Sequence, residues 1–414
     1  DSKKMLLKFF KTSVFLLCNF FLFILVGRLL NLTLGIDIYV YKLLQIFIFI
    51  GGLYCWTHLK IIAFDIIIIL YIIFLVLNGI VIDYNNHWSY LYNAIFSQLF
   101  PIFAYFIGRY YDRSLLIMFE KIKWPILFTI VFGLILFFTT PSWYIAMKNE
   151  GLDEVTSINH YMERFRLSAF WPHPYVLAYV LYMYCVYLIL QLNKPSLKKI
   201  RYNNTIILFV CIVVLFLCQM RVTIASLIMA YLYFIALSSS VSKKIHMILY
   251  VLVLIPVFLY ASTFLDSDLS NYISEHISNL FIAENYEDRF ELTSGGITDY
   301  SIFGEGFGRY DYTAREYGIF AIVDSEYQNH LAELGYTGIT LLTAILFLTF
   351  FKGVFKKDLF FEFVILCFFI LAMVGASVLS NHHQYNFIFW YAVGRIWSYK
   401  LQSQKKHNYI LNTY

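Results

Sequence analysis

Long apolar runs dominate this chain, recurring close to residues 9–27, 38–56, 61–82, 90–107, 122–140, 173–192, 204–219, 222–238, 245–263, 333–351, 359–378 and 384–399. A helix needs about 20 mostly apolar residues to cross the hydrocarbon core of a bilayer. The runs therefore predict an all-α, polytopic integral membrane protein with about 12 transmembrane helices, and 414 residues leave no room for a separate soluble domain. Residues 1–414 read as a single polytopic membrane domain. Only 14% of the residues are charged, against about 25% in soluble domains, which excludes a water-soluble fold.

The formal net charge of +5 does not point to nucleic acid, because the lysines and arginines cluster between apolar runs. Such clusters orient membrane proteins with their positive loops in the cytoplasm. Lys3, Lys4, Lys8 and Lys11, the group Lys194, Lys198, Lys199 and Arg201, the pair Lys243 and Lys244, and Lys352, Lys356 and Lys357 all fall on one side. Both termini are then expected in the cytoplasm. The start resembles the charged region of a signal peptide, but no small-residue cleavage site lies near residue 27, so a retained first helix is expected. Cys18, Cys55, Cys185, Cys211, Cys218 and Cys367 lie inside apolar runs or at their ends, which suits packing and supplies neither a disulfide framework nor a zinc spacing.

On this topology two long loops, about 141–171 and 264–332, are external. Loops of this length are uncommon unless they are functional or disordered. Both are rich in Tyr, Phe and Trp, so they are expected to fold onto the membrane domain. Asp153, Glu163, Glu284, Asp288, Glu305, Asp324 and Glu326 belong to them.

Three arginines fall at external ends of spans. Arg166 precedes Trp171-Pro172-His173-Pro174, where the prolines suit the first turn of a helix. Arg221 occupies a very short turn between two spans, and Arg289 opens the stretch that ends in Gly304-Glu305-Gly306-Phe307-Gly308. Guanidinium groups bind phosphate oxygens bidentately and keep their charge, so the three can converge on one anion such as a polyprenyl pyrophosphate. The plain alternative is anchoring at lipid headgroups, above all for Arg164, Arg309 and Arg315. The glycine cluster has no preceding strand and is not a dinucleotide loop; a close-approach backbone turn before the next helix is the expectation. Neither a metal motif nor a nucleotide loop occurs, so no cofactor is expected.

The acid/base candidates lie in Asp324-Ser325-Glu326-Tyr327-Gln328-Asn329-His330-Leu331-Ala332-Glu333. At about 100° per residue, Glu326, His330 and Glu333 share a helical face and Asp324 points about 200° away from Glu326. Ser325 to Gln328 also fits a capping box, with Asp324 as a capping or first-turn acid.

Together these motifs resemble the bacterial O-antigen and capsular polysaccharide polymerases and the related O-antigen ligases. Arg166 with His173-Pro174-Tyr175 keeps the family's spacing, with Ala169 and Tyr175 where glycine and asparagine are usual. Met220-Arg221 is similar to the family's Ser-Arg turn without the serine. Arg289 through Gly308 is similar to its Gly-x-Gly turn, and Asp324 with Glu333-Leu334-Gly335-Tyr336-Thr337-Gly338 to its final signature. The resemblance implies a GT-C-like membrane glycosyltransferase that joins undecaprenyl-pyrophosphate-linked oligosaccharides, as donor and acceptor, on the external face of the bacterial cytoplasmic membrane. It also implies a chain-length regulator as partner, besides membrane lipids. Arg166, Arg221 and Arg289 would hold the pyrophosphate; the base is either Asp324 or Glu326 with His330. Asp324 stands where the ligases carry histidine, which favours the polymerase over the ligase. A carrier that moves the same lipid-linked sugars is the alternative from another class. It calls for polar groups mid-membrane on broken helices, for which Asp65 is the main candidate.

Overall fold

The computed structural model describes residues 40–81, 88–111, 115–116, 119, 123–139, 167, 174–192, 198–218, 220–237, 300–310, 325–376, 378–380 and 385–398. The expected spans at 9–27 and 245–263, both termini, Arg166, Arg289 and Asp324 lie outside these residues. So do the loop at 141–171 apart from residue 167, and the loop at 264–332 apart from 300–310 and 325–332.

The described elements are helical throughout. They are α1 (Val40–Thr57), α2 (Ala63–Val81), α3 (Trp88–Ala94), α4 (Phe100–Ile102), α5 (Ala104–Tyr110), α6 (Lys123–Thr139), α7 (Pro174–Leu192), α8 (Lys198–Leu217), α9 (Arg221–Leu237), α10 (Glu326–Gly353), α11 (Phe360–Gly375) and α12 (Asn386–Ile396). Among the described residues, five segments are long and apolar enough to cross a membrane: Ala63–Val81, Leu91–Tyr110, Tyr175–Leu192, Glu326–Gly353 and Lys357–Gly375. The chain is an all-α, multi-pass membrane protein.

α2 displays the logic of a lipid-facing helix. Its buried face carries Phe64, Asp65, Ile68, Tyr71, Leu75, Asn78 and Gly79 at helical spacing, while Ile66, Leu70, Ile73, Leu77 and Ile80 stand exposed on the other side. A continuous apolar face of this size is stable against lipid and not against water. The polar groups of α2 are thus confined to the protein-facing stripe.

The chain forms two compact units, one of residues 1–129 and 290–408 and the other of 130–289 and 409–414. In the first, α5 and α12 meet backbone to backbone. A Cβ at Gly108 would stand 2.3 Å from the Tyr391 carbonyl, and one at Gly394 would stand 2.0 Å from that of Tyr105. Small residues allow this approach where lipid supplies no hydrophobic drive between helices. The expected span at 90–107 corresponds to the helical segment Leu91–Tyr110, which is irregular inside. Pro101 follows a π turn at Ile95–Leu99, and the widened turn leaves the Ser97 carbonyl to accept from Asn386 Nδ2.

In the second unit α7 starts at Pro174, as the prolines predicted, and nearly all of its described side chains are buried, including Tyr179, Tyr182 and Tyr184. It packs against α8 and α9. Those two are joined by the very short turn expected around Arg221, the first residue of α9. Buried Cys185 and Cys211 remain free thiols, in keeping with apolar packing.

Candidate functional site

The apolar span expected from residue 333 is preceded by helix from Glu326, as the Ser325 capping box predicts, and the helix is broken inside. Ser325 caps it with an extended backbone, its hydroxyl accepting from the Gln328 amide at 3.4 Å. At Gly335 the backbone leaves helical geometry with φ 63° and ψ −165°. Only glycine takes such a conformation without strain.

A break inside a span strands backbone polar groups, and they need partners. The glycine loop supplies them. The amides of Glu305 and Gly306 donate to the carbonyls of Ala332 and Glu333 at 2.9 and 3.0 Å, while those of Tyr336 and Thr337 donate to Ser301 and Ile302 at 3.3 and 3.0 Å. Gly304, Gly306 and Gly308 all take positive φ. The close-approach turn expected from the sequence is therefore a wedge, and its target is the Glu333-Leu334-Gly335 break.

Contacts with α2 order the two arms of α10. Beyond the break, Thr349 accepts from the Trp397 indole at 3.1 Å, and that ring stacks on Phe64 at 4.0 Å. The long arm thus ends beside the start of α2. At the break, Asn78 Nδ2 donates to the Phe303 carbonyl, near the end of α2. The short arm, 326–334, touches α2 between these points, through His330 and Tyr71. Seven residues separate Tyr71 from Asn78, about 10 Å along a helix, so the short arm leads inward from the break.

Glu326 and His330 share a face, as the helical spacing predicted. His330 Nδ1 lies 3.0 Å from Glu326 Oε1, and its Nε2 lies 2.8 Å from the Tyr71 hydroxyl. Glu326 Oε2 accepts from the amides of Leu379 and Ser380 at 2.7 and 3.2 Å and from the Ser380 hydroxyl at 3.3 Å. Asn329 Nδ2 reaches the same hydroxyl at 3.1 Å. Glu326 is 0% and His330 2% exposed. With Oε2 so held, Glu326 keeps Oε1 at ion-pair distance from His330, and neither side chain reaches the surface.

The third residue on that face, Glu333, is also buried and takes the Tyr310 amide at 2.9 Å. On the wedge, Glu305 is an accessible carboxylate. It accepts from the Tyr310 hydroxyl at 2.6 Å and faces Arg309 at 3.6 Å, the two charged side chains being 35 and 40% exposed. Burial, and then the hydrogen bond and charge of Glu305, push the Tyr310 phenol up, so it stays a donor. Arg309 is thus paired with an acid on the wedge. Glu305 and Tyr71 were not among the residues singled out by sequence. The signal for Tyr71 was its register with Asn78, seven residues on, in a run made mostly of Ile, Leu, Val and Phe.

Asp65 has another role than that of a mid-membrane group. It lies in the first turn of α2 and pairs with Arg109 at 2.9 Å, with the Tyr105 hydroxyl and the Ile62 amide as further donors. Arg109 also donates to the carbonyls of Trp397 and Lys60, at 2.7 and 3.0 Å. This buried knot ties α2, α5 and the end of α12.

Of the three arginines expected to bind an anion, Arg221 is described. It begins α9, and the Leu167 amide, adjacent in sequence to Arg166, bonds to the Leu217 carbonyl at 3.0 Å, four residues before Arg221. Among the described residues no group of three or more His, Cys, Asp or Glu is arranged to hold a metal. Compared with protein-family models and with curated proteins, the sequence matches none.

Proposed function

We propose that this protein is a membrane glycosyltransferase that polymerises polyprenyl-pyrophosphate-linked oligosaccharide units into O-antigen or capsular polysaccharide on the external face of a bacterial cytoplasmic membrane. The reading is carried by the joining of two segments that lie apart in sequence, 301–306 with the glycine turn and 332–337 with the Glu333-Leu334-Gly335 break, through four backbone hydrogen bonds. That union presents Glu305, Arg309 and Tyr310 together. In the reaction a sugar hydroxyl attacks the anomeric carbon, the bond to pyrophosphate breaks, and the leaving group takes up negative charge. Arg166, Arg221 and Arg289 neutralise that charge. A base must reach the attacking hydroxyl. Glu305 meets this requirement by exposure, while buried Glu326 and His330 position the short arm.

The test is reconstitution in liposomes with lipid-linked repeat units taken from the host cell. A ladder of longer sugars on the polyprenyl carrier, lost in Glu305→Gln, is expected. A folded wild-type protein that yields no ladder from its own host's units overturns the reading.

A second reading, a carrier for lipid-linked oligosaccharides, is favoured by the broken α10 and its inward-leading arm, since carriers place ionisable groups on discontinuous helices. Movement of the units across the liposome without new glycosidic bonds would select it.

A further inference from the structure

Tyr71 is the ninth of the nineteen residues of α2, so its contact with His330 lies halfway along a helix long enough to cross a membrane. Ionisable groups at such a depth are costly and persist where they serve a purpose. Among the described residues the only cationic partner within ion-pair distance of Glu326 is His330, and Lys or Arg takes no part.

One arrangement of protons fits these contacts. With a neutral His330 ring, Nε2 accepts from the Tyr71 hydroxyl, and Nδ1 faces a Glu326 carboxylate oxygen at 3.0 Å, an ion-pair distance without hydrogen-bond geometry. The cluster then holds one buried negative charge. A proton added at Nε2 makes an imidazolium beside the carboxylate, the phenol turns to accept from it, and the net charge of the cluster falls to zero.

We infer that Glu326, His330 and Tyr71 form a proton-binding site within the membrane domain. Among the described residues, the groups around it are compatible with one exchangeable proton. From α10, Glu333 is the other carboxylate near enough to act on Tyr71, and its Oε1 holds the Tyr310 amide. From the 378–380 segment come two amides and the Ser380 hydroxyl, all donors to Glu326. From α11 the Ile370 carbonyl takes the Tyr327 hydroxyl, and from α12 the neighbour of Tyr71 is the Trp390 ring. Asp65 is neutralised by Arg109 at the far end of α2. Because the site joins the short arm to α2, and the short arm meets the long one at Gly335, the proton bears on how the arm is held. This inference does not depend on which reading of the overall activity holds.

The experiment is nitrogen NMR of histidine-labelled protein in lipid nanodiscs, with the His330 signals identified by their absence in His330→Gln. Protonation of Nε2 on acidification of a monodisperse, folded protein is expected, a change that an inert buried histidine would not make. Glu326→Gln removes the counter-charge and should make that protonation harder. In Tyr71→Phe the transition should persist, while the Nε2 shift loses its hydrogen-bonded value. A His330 ring that keeps a single neutral tautomer throughout, or that titrates identically in Glu326→Gln, overturns the inference.

Discussion

Gly304 packs directly on the Glu333 carbonyl: a Cβ at position 304 would lie 2.2 Å from that oxygen. The contact is the tip of the wedge, and Gly335 answers it with its own missing Cβ 2.4 Å from the Gly304 nitrogen. Each glycine is required twice over, by the space and by a positive φ of 78° and 63°.

Gly304→Ala should therefore be severely destabilising. A left-handed backbone costs a non-glycine residue about 1–2 kcal/mol, and the clash with backbone adds to it, since neither strand of the contact can yield without losing hydrogen bonds. A fall in thermal unfolding temperature in detergent, larger than that of Gly133→Ala in helical backbone, is the expected result. Equal falls would mean that the wedge contributes little.

The Asp65–Arg109 pair offers a test of how buried charge is compensated. Removing one partner of such a pair typically costs about 3–5 kcal/mol, because the other charge is left buried and alone. Asp65→Ala and Arg109→Ala should each unfold at much lower temperature than the wild type. The double variant Asp65→Leu with Arg109→Met should recover most of the loss, and a strictly additive double variant would contradict this account.

Lys356 should respond to pH in a definite direction. Burial, with Lys352 and Arg395 adding repulsion, lowers its pKa to about 8 from 10.5. The folded state thus binds this proton less tightly than the unfolded chain. Stability from this group is lowest below pH 8 and recovers as pH rises from about 8 to 10.5. At pH 7 about a tenth of this amine is neutral. It should accordingly acylate faster than Lys357 with an amine-reactive reagent, as read by peptide mass spectrometry. Half-maximal reactivity near pH 10.5 at Lys356 would refute the shift.

Arg221 tests the anion site. A charge-assisted hydrogen bond contributes about 1.5–3 kcal/mol, so Arg221→Ala should slow polymerisation by about 10- to 150-fold where chemistry limits the rate. Lysine should restore only part, as it cannot grip two oxygens at once. Full activity at normal expression in Arg221→Ala would remove this residue from the site.

Much of the architecture was legible in the sequence because hydrophobic length is a local property. The run at 61–82 and the helix Ala63–Val81 agree within two residues, and Pro174 opens α7 as proline's fixed backbone suggests. The common face of Glu326, His330 and Glu333 followed from helical periodicity, as did the Ser325 cap. The break at Gly335 was not legible. Hydropathy averages over it, and a glycine in an apolar helix commonly stays helical.

The sequence by itself determined that this chain is a multi-pass helical membrane protein, where its helices run, and which residue types stand at their ends. Bilayer thickness and backbone hydrogen bonding leave no other outcome for such runs. Only the tertiary structure decided the partners: Asp65 with Arg109, Tyr71 with His330, Gly304 with the Glu333 carbonyl. Those pairs lie 44, 259 and 29 residues apart, and no local pattern encodes them. They form because a polar group withdrawn from water must be met by whichever part of the chain the packing brings to it.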